Sequence, residues 1–173
     1  MNQRLQLQLG DLTAMDVDVL VNSTDPSMRD GGPVHKAVHA AAGEGLAAEC
    51  VQVGGCPVGE ARLTRGHDLK APFVIHTVAP TWRDGLKGEP AQLASCYRSA
   101  LALAELRGFR TLAFPSLGSG RQPQIPLEVA APIAVRAILA FLEDHAFPEK
   151  VYLVCFDAPT YQAYQRALRE ALP

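Results

Sequence analysis

The chain has no apolar stretch approaching the roughly 20 residues that a membrane-spanning helix needs. Its start, MNQRLQLQLG, alternates polar and apolar residues and lacks the apolar core of a secretory signal. Neither sign of charge is in much excess. Sixteen Lys and Arg against 18 Asp and Glu give a net charge of −2 and a pI near 6.2. This argues against a broad basic face for nucleic acid, while leaving room for a small anion pocket. Cysteines are few, and no two of Cys50, Cys56, Cys96 and Cys155 have C-x-x-C spacing. Buried, reduced thiols in a cytoplasmic protein are expected rather than disulfides or a metal site. A Cys56/His67 metal pair lacks the close ligand spacing that would support it. Neither G-x-x-x-x-G-K-[ST] nor G-x-G-x-x-G occurs, which argues against a P-loop nucleotidase and a Rossmann dinucleotide site. There is no internal repeat and no low-complexity tract.

What is present is a 173-residue chain with 48% hydrophobic and 20% charged residues, enough for one globular domain over residues 1–173. Leu5, Leu7 and Leu9 alternate with polar residues as in a half-buried strand. Further strands are expected at Val17–Asn22, Ala61–Thr64, Phe73–Val78, Thr111–Leu117 and Lys150–Phe156. Helices are expected at Val34–Ala42, stopped by Gly43, and at Glu89–Arg107, ended by Gly108. Two more are expected at Leu127–Asp144 and Thr160–Leu172, the last with Thr160 as its cap. Strands alternating with helices imply an α/β fold with a largely parallel sheet covered on both faces. PTWRDGLKGEP, Pro80 to Pro90, is polar and rich in Gly and Pro, the pattern of a mobile loop.

Ligands in such sheets sit beyond the carboxyl ends of strands. Three segments qualify: Asn22 to Val34 (loop one), Pro115 to Pro126 (loop two) and Phe156 to Tyr161. Gly118, Ser119 and Gly120 open one helix, and Gly31 and Gly32 open another. Glycine lets backbone N–H groups approach a phosphate, and a helix N-terminus favours negative charge. Two such loops suggest a diphosphate held between them. Asp11, in GDLT, could accept from an exocyclic amine such as that of adenine, or could cap a turn. Phe156 could stack on a base or belong to the core. Asp25 and His35 flank the glycine pair and could act as base and acid beside a bound phosphate. Equally, Asp25 could shape a turn ahead of Pro26, with His35 solvated at the helix start. His39 lies one helical turn past His35 on the same face. His76, inside FVIHTV, reads as a satisfied core histidine.

Four blocks, in this order and spacing, resemble the macro domain family: GDLT, DVDVLVNSTDPSMRDGGPVHKAVHAAAG, GGCPVGEARLTRGHDLKAPFVIHTVAP and LAFPSLGSGRQPQIPLEVAAPIAVRAI. The resemblance spans nearly the whole chain. It implies a three-layer α/β/α sandwich on a mixed, mostly parallel six-stranded sheet. It also implies a cleft for ADP-ribose, free or attached to protein or nucleic acid, with no cofactor. Asp11 matches the family's acceptor for the adenine amine, with Leu12 beside it, and Phe156 falls where a ring stacks on adenine. Gly31, Gly32, Pro33 and Val34 match the loop around the diphosphate and distal ribose, and Asn22 opens that motif. Gly118, Ser119 and Gly120 match the second phosphate loop, and Ser116, Arg121 and Gln122 beside them are further candidates for binding.

The departures bear on chemistry. The family's N-A-A-N is here Asn22, Ser23, Thr24, Asp25, so the second Asn is an Asp. The aspartate that follows G-G-G-V in many hydrolases is here His35, and Pro33 has no N–H to offer a phosphate. Gln122 stands where an aromatic residue is common, and GRQPQIPLE is one residue longer than usual. ADP-ribose binding therefore carries over, with Asp25 and His35 as the candidates for catalysis. The implied activity is hydrolysis of mono-ADP-ribose from a modified macromolecule or of an ADP-ribose ester. A non-catalytic ADP-ribose reader and a phosphatase of ADP-ribose-1''-phosphate are the alternatives.

Overall fold

A computed structural model describes residues 4–172. The two ends of the expected 1–173 domain, residues 1–3 and 173, lie outside the described residues. Six strands form one sheet: β1 (Leu5–Leu9), β2 (Val19–Ser23), β3 (Ala61–Arg65), β4 (Phe73–Thr77), β5 (Thr111–Phe114) and β6 (Lys150–Cys155). Their order is β1-β6-β5-β2-β4-β3, and every neighbouring pair is parallel except β3 with β4. The run Val19, Leu20, Val21 is apolar on successive positions because both faces of a parallel strand are covered. Val19 and Val21 pack into one core and Leu20 into the other.

Helices α1 (Pro33–Ala42) and α2 (Glu44–Val53) cover one face through Val38, Ala42, Leu46 and Cys50. Helices α3 (Glu89–Leu106), α4 (Leu127–Asp144) and α5 (Ala158–Ala171) cover the other through Leu93, Leu101, Ile138 and Tyr164. The architecture is the three-layer α/β/α sandwich on a mixed, mostly parallel sheet. Among the described residues, no helix is long and apolar enough to cross a membrane.

Three expectations need correction. The sequence pattern does not reveal α2: Gly43 does stop α1, but it also starts α2, turning the chain with φ of 84°. β5 ends at Phe114 rather than Leu117, because Pro115 has no N–H to continue a ladder. α5 begins at Ala158, capped by Asp157 rather than Thr160; the Asp157 carboxylate accepts the Thr160 N–H at 2.9 Å.

Residues 80–88 lack regular structure but are tied down, and 89–90 open α3. The buried Glu89 carboxylate accepts the N–H groups of Arg83, Asp84, Gly85 and Lys87 at 2.7–3.3 Å. Although burial would raise its pKa, these amides hold Glu89 down at about 2. Cys50, Cys56, Cys96 and Cys155 are all buried and unpaired, and burial pushes the Cys50 and Cys56 thiols up to about 11. His67 meets Glu49 at 2.8 Å.

Candidate functional site

Because β1, β6, β5 and β2 are parallel neighbours, their carboxyl ends share one edge of the sheet. The three predicted loops therefore converge there. They enclose two joined hollows of about 280 and 480 Å³, both walled by Pro33, Val34 and Phe156. This is the size and placement of a small-molecule site in an open α/β sheet.

One hollow lies over β1 and β6. Asp11, Leu12 and Phe156 line it, together with Leu9, Val38 and Val154. Asp11 is exposed and caps a single 3-10 turn, its Oδ1 accepting from Thr13 N at 2.9 Å and Thr13 Oγ1 at 2.8 Å. The cap uses one carboxylate oxygen, so the two readings of Asp11 are compatible. Phe156 is 64% exposed, which rules out a core role and leaves an aromatic face open to the cleft.

The other hollow is walled by Ser23, Gly32, Pro33, Val34, Ser116, Ser119 and Gly120. Its waist is a contact between two glycines. A Cβ on Gly32 would lie 2.7 Å from the Gly120 Cα and 2.8 Å from the Gly120 oxygen. Gly32 is also the N-cap of α1, and Pro33 takes the first helical position, where a missing N–H costs the helix nothing. The positive end of α1 thus opens into the cleft beside both loops.

Loop two is braced from below. Ser116 Oγ meets Tyr164 OH at 2.8 Å, and Tyr97 OH accepts the Leu117 N–H at 3.2 Å. Both tyrosines are fully buried, one on α3 and one on α5. Gly118 makes the turn at φ of 99°, and its oxygen accepts the Ile125 N–H at 2.8 Å.

Several predicted site residues lie behind or beside the cleft wall. Asn22 is fully buried, its Nδ2 3.2 Å from His76 Nδ1, so it supports the wall and does not line it. Ser23, one position on, takes that place, as strand alternation requires. Asp25 is occupied by its own loop: it accepts from Ser27 Oγ at 2.8 Å, Arg29 N at 3.1 Å and Asp30 N at 3.2 Å. Burial would raise its pKa, but these donors outweigh it and hold the carboxyl below its usual value. His35 is not solvated. It lies beneath Gly31, 5% exposed, with Nδ1 2.9 Å from Thr24 Oγ1. Burial lowers its pKa, and only part of that is offset by the Arg29 backbone and by Asp25 and Asp30. Its ring stacks on His39 at 4.1 Å. Arg121 reaches away from the cleft, its Nη1 donating to Ala79 O at 2.9 Å, and exposed Gln122 lies outside the lining as well. Gln124 and Ile125 line the wall instead.

A three-layer sandwich with a strand-end cleft walled by two glycine loops defines a class of α/β domain with its site at the carboxyl edge of the sheet. The sequence pattern described as "Macro domain" matches residues 21–134, and the chain belongs to that family. A macro domain-containing protein of Mesorhizobium japonicum is 44% identical, over 95% of this chain and 93% of its own length. A protein named O-acetyl-ADP-ribose deacetylase from Cronobacter sakazakii is 42% identical, over 97% of this chain and 95% of its own. Among solved structures, the Oceanobacillus iheyensis macrodomain with ADP superposes with a TM-score of 0.89. It is 33% identical, covering 96% of this chain and 90% of that one.

Proposed function

We propose that the chain binds ADP-ribose along this cleft and hydrolyses a bond at the distal ribose, either an ester or the link to a modified macromolecule. The observation that carries the reading is the Gly32–Gly120 contact, in line with Asp11 and Phe156. It leaves no Cβ between the two loops at the place where a diphosphate would bridge the two hollows. Adenine would stack on Phe156 with its amine on Asp11. The diphosphate would lie at the α1 N-terminus, and the distal ribose would rest against Ser23 and loop one. The name carried by the Cronobacter relative supports an ester substrate. The buried thiols fit a reducing, cytoplasmic compartment.

In ester hydrolysis a water oxygen bonds to the acyl carbon, the carbon–oxygen bond to ribose breaks, and the ribose oxygen leaves with a proton. Asp25 and His35 serve this step by holding loop one in place, and the bound diphosphate orients the water. Calorimetric titration with ADP-ribose, and incubation with O-acetyl-ADP-ribose and mono-ADP-ribosylated substrates, test the reading. Binding followed by release of free ADP-ribose is expected. Binding without turnover on any linkage would make the protein a reader. As a positioning residue, His35 when changed to Ala should raise KM and lower kcat together. A base in contact with substrate would instead cost about 10²- to 10⁴-fold in kcat with binding intact.

A further inference from the structure

A second recess, of about 300 Å³, lies over the carboxyl end of β4 and is lined by Pro80, Arg83, Lys87, Glu89 and Arg121 among others. Its position relative to the cleft follows from the strand order. The expected adenine end is over β1 and β6, and loop one follows β2; the next strand along the same edge is β4. Two contacts join the recess to the cleft. Arg121 follows Gly120 directly and anchors on Ala79, just past β4. Trp82 N donates to Pro123 O at 2.8 Å, which ties the 80–90 loop to the second phosphate loop.

The recess is cationic. Arg83 and Lys87 are exposed, and Arg121 is half-buried at its inner edge. Glu89, the carboxylate that faces them, is buried and already surrounded by four loop amides. Asp84, on the rim, turns its Oδ1 to the Leu86 N–H at 2.8 Å. Leu86, between Arg83 and Lys87 in the chain, is 83% exposed beside the recess-lining residues. A chain with a net charge of −2 thus places a local positive cluster and a bare leucine one strand beyond the expected distal ribose.

We propose that this recess is a subsite for the peptide that carries the ADP-ribose, and that it selects acidic residues flanking the point of attachment. The inference rests on the ADP-ribose reading of the cleft. Charge complementarity supplies the attraction, and Leu86 offers an apolar contact that suits a peptide side chain better than a phosphodiester backbone. The molecule's overall negative charge further disfavours a polyanion.

The test compares dissociation constants of free ADP-ribose with those of mono-ADP-ribosylated peptides whose flanks are acidic, neutral or basic. A short ADP-ribosylated oligonucleotide serves as a further arm. The acidic peptide should bind about 2- to 30-fold tighter than the neutral one, the range expected from two exposed ion pairs. The advantage should vanish in the Arg83→Ala/Lys87→Ala double variant and at high salt, with free ADP-ribose binding unchanged. Equal affinity for all three peptides, with ADP-ribose still bound, would overturn the subsite alone. Tighter binding of the oligonucleotide than of the acidic peptide would overturn the choice of a peptide. Failure of free ADP-ribose to bind would overturn the functional reading and the subsite with it.

Discussion

Asp11 carries two duties that different substitutions separate. Asp11→Asn keeps a side-chain oxygen for the Thr13 N–H but removes the charge, so the turn should survive while ADP-ribose binds more weakly. Asp11→Ala removes both, and the lost charge-assisted hydrogen bond should cost about 1.5–3 kcal/mol, or roughly 10- to 150-fold in affinity. An unchanged dissociation constant for both variants would reduce Asp11 to a cap. The glycine contact makes an asymmetric prediction. A Cβ on Gly32 lands 2.7 Å from backbone, whereas a Cβ on Gly120 meets nothing nearer than 3.6 Å. Gly32→Ala should therefore push the loops apart and abolish ADP-ribose binding, while Gly120→Ala, whose methyl enters the gap without displacing backbone, should weaken binding less. Titrating both variants beside thermal melts separates a local effect on the cleft from a global one.

Glu89 is the organiser of the 80–90 loop, since one carboxylate gathers four amides that have no strand or helix to satisfy them. Glu89→Ala should release the loop and expose Arg83 and Lys87 to trypsin, with cleavage there faster than in the parent under native conditions. Because Glu89 titrates at about 2, the parent loop should remain protected down to mildly acidic pH. Equal cleavage rates for parent and variant would show that the Trp82–Pro123 contact suffices. Loop two depends in the same way on two helices. Tyr164→Phe would remove the partner of Ser116 without opening a cavity, and should cost about 0.5–1.5 kcal/mol of stability.

Three histidines unite loop one, α1 and the sheet, and they set how the molecule responds to acid. His35 stacks on His39, and His76 sits inside the sheet between Asn22 and Thr64. Burial lowers the His39 pKa to about 4, with His35 adding to the effect. Burial, followed by His39 and His35, lowers His76 to about 3. All three are neutral in the fold. An unfolded chain takes up protons below its ordinary histidine pKa near 6.5, and the folded chain does not. Stability is therefore full above that pH and falls as pH drops through the window from about 6.5 toward 3. At pH ~5, His76 alone should account for a loss of about 2 kcal/mol, with the more exposed His39 adding less. Chemical denaturation at pH 7 and pH 5 should show the fall, and His39→Gln should remove only the smaller share of it. A stability independent of pH over that interval would mean that the cluster opens to solvent.

Periodicity in the chain was enough to locate six strands and four of the five helices, because each buries a face that must repeat with its own period. α2 escaped because a glycine that ends one helix can also begin the next. Gly43 does both, and only its φ of 84° shows that the chain turns and resumes. That the glycine loops, Asp11 and Phe156 meet at one strand-end cleft was legible, because each follows a strand whose carboxyl end lies on the same edge of the sheet. The placements of Asn22, Asp25 and His35 were not, since composition names a polar group without saying which way it faces. The parallel order β1-β6-β5-β2-β4 brings the loops to one edge and sets Ser23 toward the cleft with Asn22 behind it. Packing of loop one over α1 turns His35 under Gly31 and ties Asp25 to Ser27, Arg29 and Asp30. Local patterns select elements because hydrophobic periods and turn chemistry act over a few residues. Side-chain direction at the site depends on contacts between segments far apart in the chain, and these exist only once the layers have packed.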